Sequence, residues 1–188
     1  YNGTIGGQPV QVFTPPSAVG DATPTDSVSG DLDLNTLDKA SDEMKAGRSK
    51  VWFTSKVGSR LINNLLQAQR EYNPGDRITI AGGFRVSTYD DFPIVKTDAI
   101  GDAMAWGLDG SSNPILTALT GATGDARTTA ILCIDTDYVW YDELTALTVE
   151  PINPGTTQRK KFEAYWDGVL VLGVPQGASM IIGIKPDA

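Results

Sequence analysis

Apolar residues in this chain come mostly in short runs separated by Gly, Pro, Asn, Asp and Ser, the pattern of a strand-rich fold with few helices. Residues 1–34, which include "GGQPVQVFTPPSAVGDATPTDSVSGD", read as an extended arm or a set of loops with a short strand at Pro9 to Phe13. "NTLDKASDEMKAG" predicts a short helix capped by Asn35 or Thr36 and closed by Gly47. "SKVWFTS" (49–55) predicts a buried strand, and Ser55 or Ser59 is placed to cap the helix that follows. In "SRLINNLLQAQREY" the residues Leu61, Ile62, Leu65 and Leu66 make one apolar stripe, with Asn63, Asn64, Gln67 and Arg70 around it. Asn73-Pro74-Gly75 ends that helix.

The remaining pattern is extended. "RITIAGGFRVSTY" and "FPIVKTDAI" predict short strands, separated by Gly82-Gly83 and by a turn at Asp90-Asp91. Residues 101–127 are rich in Gly, Asp, Ser and Ala and read as an insertion, with a helical turn around Ala103 to Trp106. Ala130 to Ile134 is the most apolar strand and belongs in the centre of a sheet. Tyr138 to Tyr141, "LTALTVEPI", "QRKKFEAYWDGVLVLGV" and "ASMIIGI" complete the set of strands. No internal repeat is present.

Composition narrows the classes. A length of 188 residues suits one domain, or one domain with an extension, and buries roughly 70% of the unfolded surface. Hydrophobic residues at 40% and charged residues at 20% are a globular balance. The net charge of −8 repels phosphate backbones and disfavours nucleic-acid binding. No run of about 18 apolar residues occurs, so no spanning helix is predicted. The chain opens on Tyr1 rather than Met, which reads as a processed or trimmed start.

Candidate chemistry is thin. The chain has no His, which removes His-based nucleophile triads and His-metal signatures. One Cys allows neither an internal disulfide nor a zinc site, and Cys133 sits within "AILCI" as core. Carboxylates pair in sequence at Asp135 and Asp137, Asp90 and Asp91, and Asp142 and Glu143, but all lie at strand ends or turns. "DGSSN" (109–113) lacks the remaining oxygen ligands of a calcium loop. "IAGGF" and "TGATGDA" match no nucleotide-binding pattern. Asn2-Gly3-Thr4 is a glycosylation sequon without secretory context. The four Trp residues (52, 106, 140 and 166) are scattered, as core or interface rings are, whereas a carbohydrate platform aligns them on one face. The basic cluster Arg159, Lys160 and Lys161 reads either as a solvated strand start or as a salt-bridging contact to an acidic neighbouring subunit. Neither a catalytic residue, a metal site nor a cofactor is indicated.

The order of features carries a resemblance. A helix, "VWFTSKVGSRL", "GFRVSTYDDFPIVKTDAI", "AILCIDTDYVWYDE", "LTVEPI" and "QRKKFEAYWDGVLVLGVPQGASMIIGI" together resemble the C-terminal half of tailed-phage major capsid proteins of the Hong Kong 97 type, a coat fold shared with encapsulins. "DDFPIVKTDAI" is similar to the family's "G.PVv.sd" strand, and "AILCIDTDYVW" to its "ilfGD...y.v" segment with Asp135 in the acidic position. "WDGVLVLGVPQGASMIIGI" is similar to the closing strands. Cys133 and Ile134 stand where a Gly is usual, and the N-terminal arm, hairpin loop and spine helix have no counterpart here.

The resemblance implies an α+β fold: a mixed central sheet flanked by helices, with a strand-rich peripheral extension. It implies peripheral arm and loops at 1–34, an axial domain at 35–144, and strands joining the two parts at 145–188. It implies a structural shell protein without enzymatic activity, which self-assembles into pentamers and hexamers of an icosahedral phage head in the virion. The stretch without its N-terminal pieces is expected to be monomeric or weakly associated. Residues 101–127 are expected near the capsomer axis, exposing Trp106 and Asp109, and these join Arg159, Lys160 and Lys161 as candidate subunit contacts. The alternative is a carbohydrate- or protein-binding β-rich module of a phage fibre or surface protein, marked by aligned exposed Trp rings. An enzyme would be marked by two close carboxylates in a cleft.

Overall fold

The computed structural model describes residues 4–5, 8–9, 11–44, 49–68, 77–79, 85–152 and 161–186. In chain order the elements begin with β1 (Thr4–Ile5), β2 (Gln8–Pro9), β3 (Gln11–Phe13), α1 (Leu34–Asp42), β4 (Lys50–Thr54) and α2 (Lys56–Ala68). Next come β5 (Arg77–Thr79), β6 (Arg85–Tyr89), β7 (Phe92–Lys96), β8 (Ala105–Leu108), β9 (Pro114–Ala118) and β10 (Thr129–Asp135). The last three are β11 (Val139–Ile152), β12 (Lys161–Leu172) and β13 (Ala178–Ile184).

Seven strands form one mixed sheet in the order β3-β13-β10-β4-β7-β6-β5. Two contacts are parallel, β13 with β3 and β4 with β7, and the others are antiparallel. This is the α+β class with a mixed central sheet. The apolar strand around Cys133 is interior, as expected, with β4 beside it at the midpoint of the order. Strand residues alternate between two faces. Trp52, Ile94, Ile131, Cys133 and Ile181 share one face and are buried with Leu37 and Ala40 of α1 and Leu61 and Ile62 of α2. Ala130 and Ile182 face the other way and pack with Met104 and Trp106, so the β8-β9 hairpin covers the opposite side.

The helices start and stop for local reasons. Asp33, rather than Asn35 or Thr36, caps α1 by accepting a hydrogen bond from the Thr36 amide at 3.0 Å. At the far end Ser179 Oγ donates to Ala40 O at 2.8 Å and Lys50 Nζ donates to Ser41 O at 2.9 Å, which satisfies carbonyls of the last turn. Ser55 Oγ accepts from the Gly58 amide at 3.0 Å and so opens α2, one of the two capping residues expected. A side chain at Gly58 would collide with Thr54 Oγ1, so the strand-to-helix corner requires glycine. Asp90 and Asp91 both adopt positive φ, 50° and 62°, which makes the two-residue turn joining β6 to β7. The expected breakers Gly47, Asn73-Pro74-Gly75 and Gly82-Gly83 lie outside the described residues.

Several sequence expectations give way to tertiary pairing. The helical turn expected around Ala103 to Trp106 is instead extended: Met104 bridges Thr128, and Ala105 and Trp106 open β8, because Asp109–Asn113 closes a hairpin with Pro114–Ala118. The strands expected at Tyr138 to Tyr141 and in "LTALTVEPI" are one continuous strand, β11, carried past residues 144 and 146–147 by irregularities in its register with β12. The boundary expected at residue 144 therefore falls inside a strand. The expected arm at 1–34 contributes β3 to the edge of the central sheet.

Candidate assembly surface

Of the residues singled out as subunit contacts, Trp106, Asp109 and Lys161 fall among the described residues. Trp106, expected to be exposed, is 1% exposed, and this corrects the reading of residues 101–127 as an open insertion. Its indole lies against Gly20 and Gly183, where an added Cβ would come within 3.0 Å and 3.2 Å of the ring. The physical reason is that β8 folds back over the sheet, and two glycines leave room for a large ring. Asp109 stays at the surface, but its carboxylate accepts from the amides of Ser111 and Asn113, both at 2.8 Å, and so holds its own turn closed. Arg159 and Lys160 lie outside the described residues, and Lys161 begins β12 opposite Ile152.

The carboxylate pairs do not converge. Asp135 is fully buried and accepts from the Asp137 amide at 3.0 Å, the geometry of a cap on the short turn that ends β10. Asp142 and Glu143 point to opposite faces of β11, one bonded by Trp140 Nε1 and the other by Trp166 Nε1. Among the described residues no group of three His, Cys, Asp or Glu could hold a metal. Cys133 is fully buried, and burial pushes its thiol up to about 12, so it is core.

What the structure offers instead is a surface. β11 and β12 pair only with each other among the described strands and form a ribbon about 40 Å long, at the usual rise per strand residue. The ribbon leaves the body where the Gly173 amide donates to Tyr138 O at 2.9 Å. Its sequence is amphipathic with period two. Register puts Val139, Tyr141, Val149 and Pro151 on one face with Phe162, Ala164, Trp166, Leu170 and Leu172. The reverse face carries Asp142, Glu150, Glu163 and Asp167, together with Trp140, Tyr165 and Val169.

The apolar face has a built centre. Tyr141 and Trp166 stack with centroids 5.5 Å apart and planes within 5°. The stack crosses Gly168, where any side chain would run into the Tyr141 ring. Trp166 Nε1 donates to Glu143 at 2.9 Å, which ties down the one carboxylate that register places on this face. The Tyr141 phenol is raised above its ordinary value, first by desolvation and then by Glu143 and Asp167. Yet the face is open: Phe162 is 63%, Trp166 52% and Leu170 67% exposed. Sequence reading missed this surface, although the even-numbered apolar positions from Phe162 to Leu172 carry its signal.

An aligned Trp platform is absent from the described residues. Trp52 and Trp106 are buried, and Trp140 and Trp166 lie on opposite faces of the ribbon.

No family model matches the sequence, and no curated protein matches it. Among solved structures, the chain is similar to one in the cryo-EM structure of the holo-SrpI encapsulin complex from Synechococcus elongatus PCC 7942, with a TM-score of 0.61 and 10% identity. The similarity covers 95% of this chain and 54% of that one, so this chain spans about half the length of its neighbour. At that identity the likeness speaks to the fold alone: this chain shares the α+β architecture of its neighbour.

Proposed function

We propose that this protein is a structural subunit of a self-assembling shell, and more specifically the major capsid protein of a tailed phage, forming pentamers and hexamers of an icosahedral head. The observation that carries the reading is the agreement of fold with an encapsulin complex over nearly the whole chain. The order of sequence features supports the phage assignment, and the open apolar ribbon supports work done by association rather than by turnover. Identical subunits with two different contact patches close into rings when the rotation between copies allows it. The acidic balance suits a container that does not grip a polyanionic cargo. On this reading the protein resides in the virion and its partners are copies of itself.

Negative-stain electron microscopy of the protein expressed from its complete reading frame tests the proposal. Five- and six-fold rings or uniform icosahedral shells are expected. Monodisperse single subunits across protein and salt concentrations, with chaperone and scaffold present, would overturn it.

A further inference from the structure

We infer that the tip of the β8-β9 hairpin is a self-modification site: the Gly110 amide nitrogen closes on the carboxyl carbon of Asp109, and the succinimide so formed opens to isoaspartate. The inference is independent of the assembly reading.

The chain has two Asp-Gly bonds, Asp109-Gly110 and Asp167-Gly168. Glycine after aspartate favours the reaction, because no Cβ shields the attacking nitrogen and the backbone turns freely. With the same two residues at both places, local structure decides between them.

At the hairpin tip the structure leaves the reaction room. Asp109-Gly110 lies between β8 and β9 rather than within a strand, and residues 110–113 are exposed. A Cβ built at Gly110 would meet nothing within 4 Å. The carboxyl group is also held in place. Asp109 Oδ1 accepts from the amides of Ser111 and Asn113, both at 2.8 Å. Asn113 Nδ2 donates to Oδ1 at 3.3 Å and to Oδ2 at 3.2 Å. Donors gathered round a carboxyl group stabilise the negative charge that grows on its oxygen as the nitrogen attacks.

Asp167-Gly168 has the opposite setting. It lies inside β12, with Asp167 opposite Thr145 and Gly168 opposite Glu143. The Tyr141 ring crosses Gly168. Closing the ring there would take residue 167 out of its extended conformation and break the ladder with β11.

The step needs only water. The bond from Gly110 N to Asp109 Cγ forms, the amide gives up its proton, the carboxyl group gives up a hydroxyl, and the two leave as water. Water then adds to one of the two ring carbonyls. Addition at the side-chain carbonyl restores aspartate, and addition at the main-chain carbonyl leaves isoaspartate. The latter adds a methylene to the main chain and moves the free carboxylate, so the amides of Ser111 and Asn113 lose the acceptor that closes the turn.

Heavy-oxygen water tests the inference, because each ring opening leaves a heavy oxygen in the residue. The chain is incubated at mildly acidic pH, where part of the carboxyl population carries the proton that lets water leave. Folded and urea-unfolded samples run in parallel until the unfolded chain is labelled at both Asp-Gly bonds. Trypsin then releases residues 97–127 and 162–188 as separate peptides, and fragmentation in a mass spectrometer locates the label. In the folded chain, label is expected at Asp109, with Asp167 spared. Gly110 is not among the residues with positive φ and has open space around it, so Gly110→Ala is expected to keep the circular dichroism spectrum and slow labelling several-fold. A folded chain unlabelled at Asp109, one labelled as much at Asp167, or a Gly110→Ala variant labelled as fast as the parent would overturn the inference.

Discussion

Cys133 and Leu170 both sit in long apolar strands, yet the first is fully buried and the second lies two-thirds in water. The difference is in the neighbours. β10 has a strand on each side, α2 against one face, and the β8-β9 hairpin against residues of the other. β12 has a single partner strand and nothing over its apolar face among the described residues. One strand spends its hydrophobic surface on the fold of the subunit, and the other holds it in reserve. Open apolar surface of this extent invites a covering partner, and this is what sets the ribbon apart from the body.

The contrast predicts unequal costs for the same substitution. Trp106→Ala removes a buried ring from the body and is expected to lower stability by about 3–5 kcal/mol. Trp166→Ala, on the ribbon, is expected to lower it by less than about 1 kcal/mol, because only the exposed stack is lost. Urea denaturation of both variants reads the difference. Equal costs would mean that the ribbon is an integral part of the core.

Gly183 sharpens the same comparison. It combines a φ of 75° with close approach to the Trp106 ring, so Gly183→Ala is expected to cost about 1–3 kcal/mol by urea denaturation. Gly168→Ala on the ribbon displaces Tyr141 but buries nothing new, and a shift in tyrosine and tryptophan fluorescence with little loss of stability is expected. Ser179→Ala leaves Ala40 O without its buried donor and is expected to cost about 1–2 kcal/mol, again by denaturation.

The smallest effect appears only in alkali. Burial raises the Cys133 thiol from 9.0 to about 12. The unfolded thiol therefore releases its proton first, while the native one keeps it. Stability from this group is intact below about pH 9 and is lost as pH rises towards 12. Comparing urea midpoints across that window, the parent is expected to fall more steeply than Cys133→Ala. Parallel curves would show that the thiol is reached by water.

Sequence alone determined a good deal here. Period-two runs, breaker residues and one apolar helical stripe are local properties, so most strands of the central sheet, α2 with its Ser55 cap, and the Asp90-Asp91 turn were legible, whereas β8 and β9 were not. The absence of His and the single Cys likewise restricted the chemistry without any coordinates. Tertiary structure decided everything that depends on which strand meets which. The stretch from Ala103 to Trp106 has no strong local preference, and Trp106 became strand and core only because β9 pairs with it and Gly20 and Gly183 make room for the indole. The apolar face from Phe162 to Leu172 was written in the sequence, but its openness was not. Alternation fixes which side chains share a face, whereas long-range packing alone decides whether that face is covered.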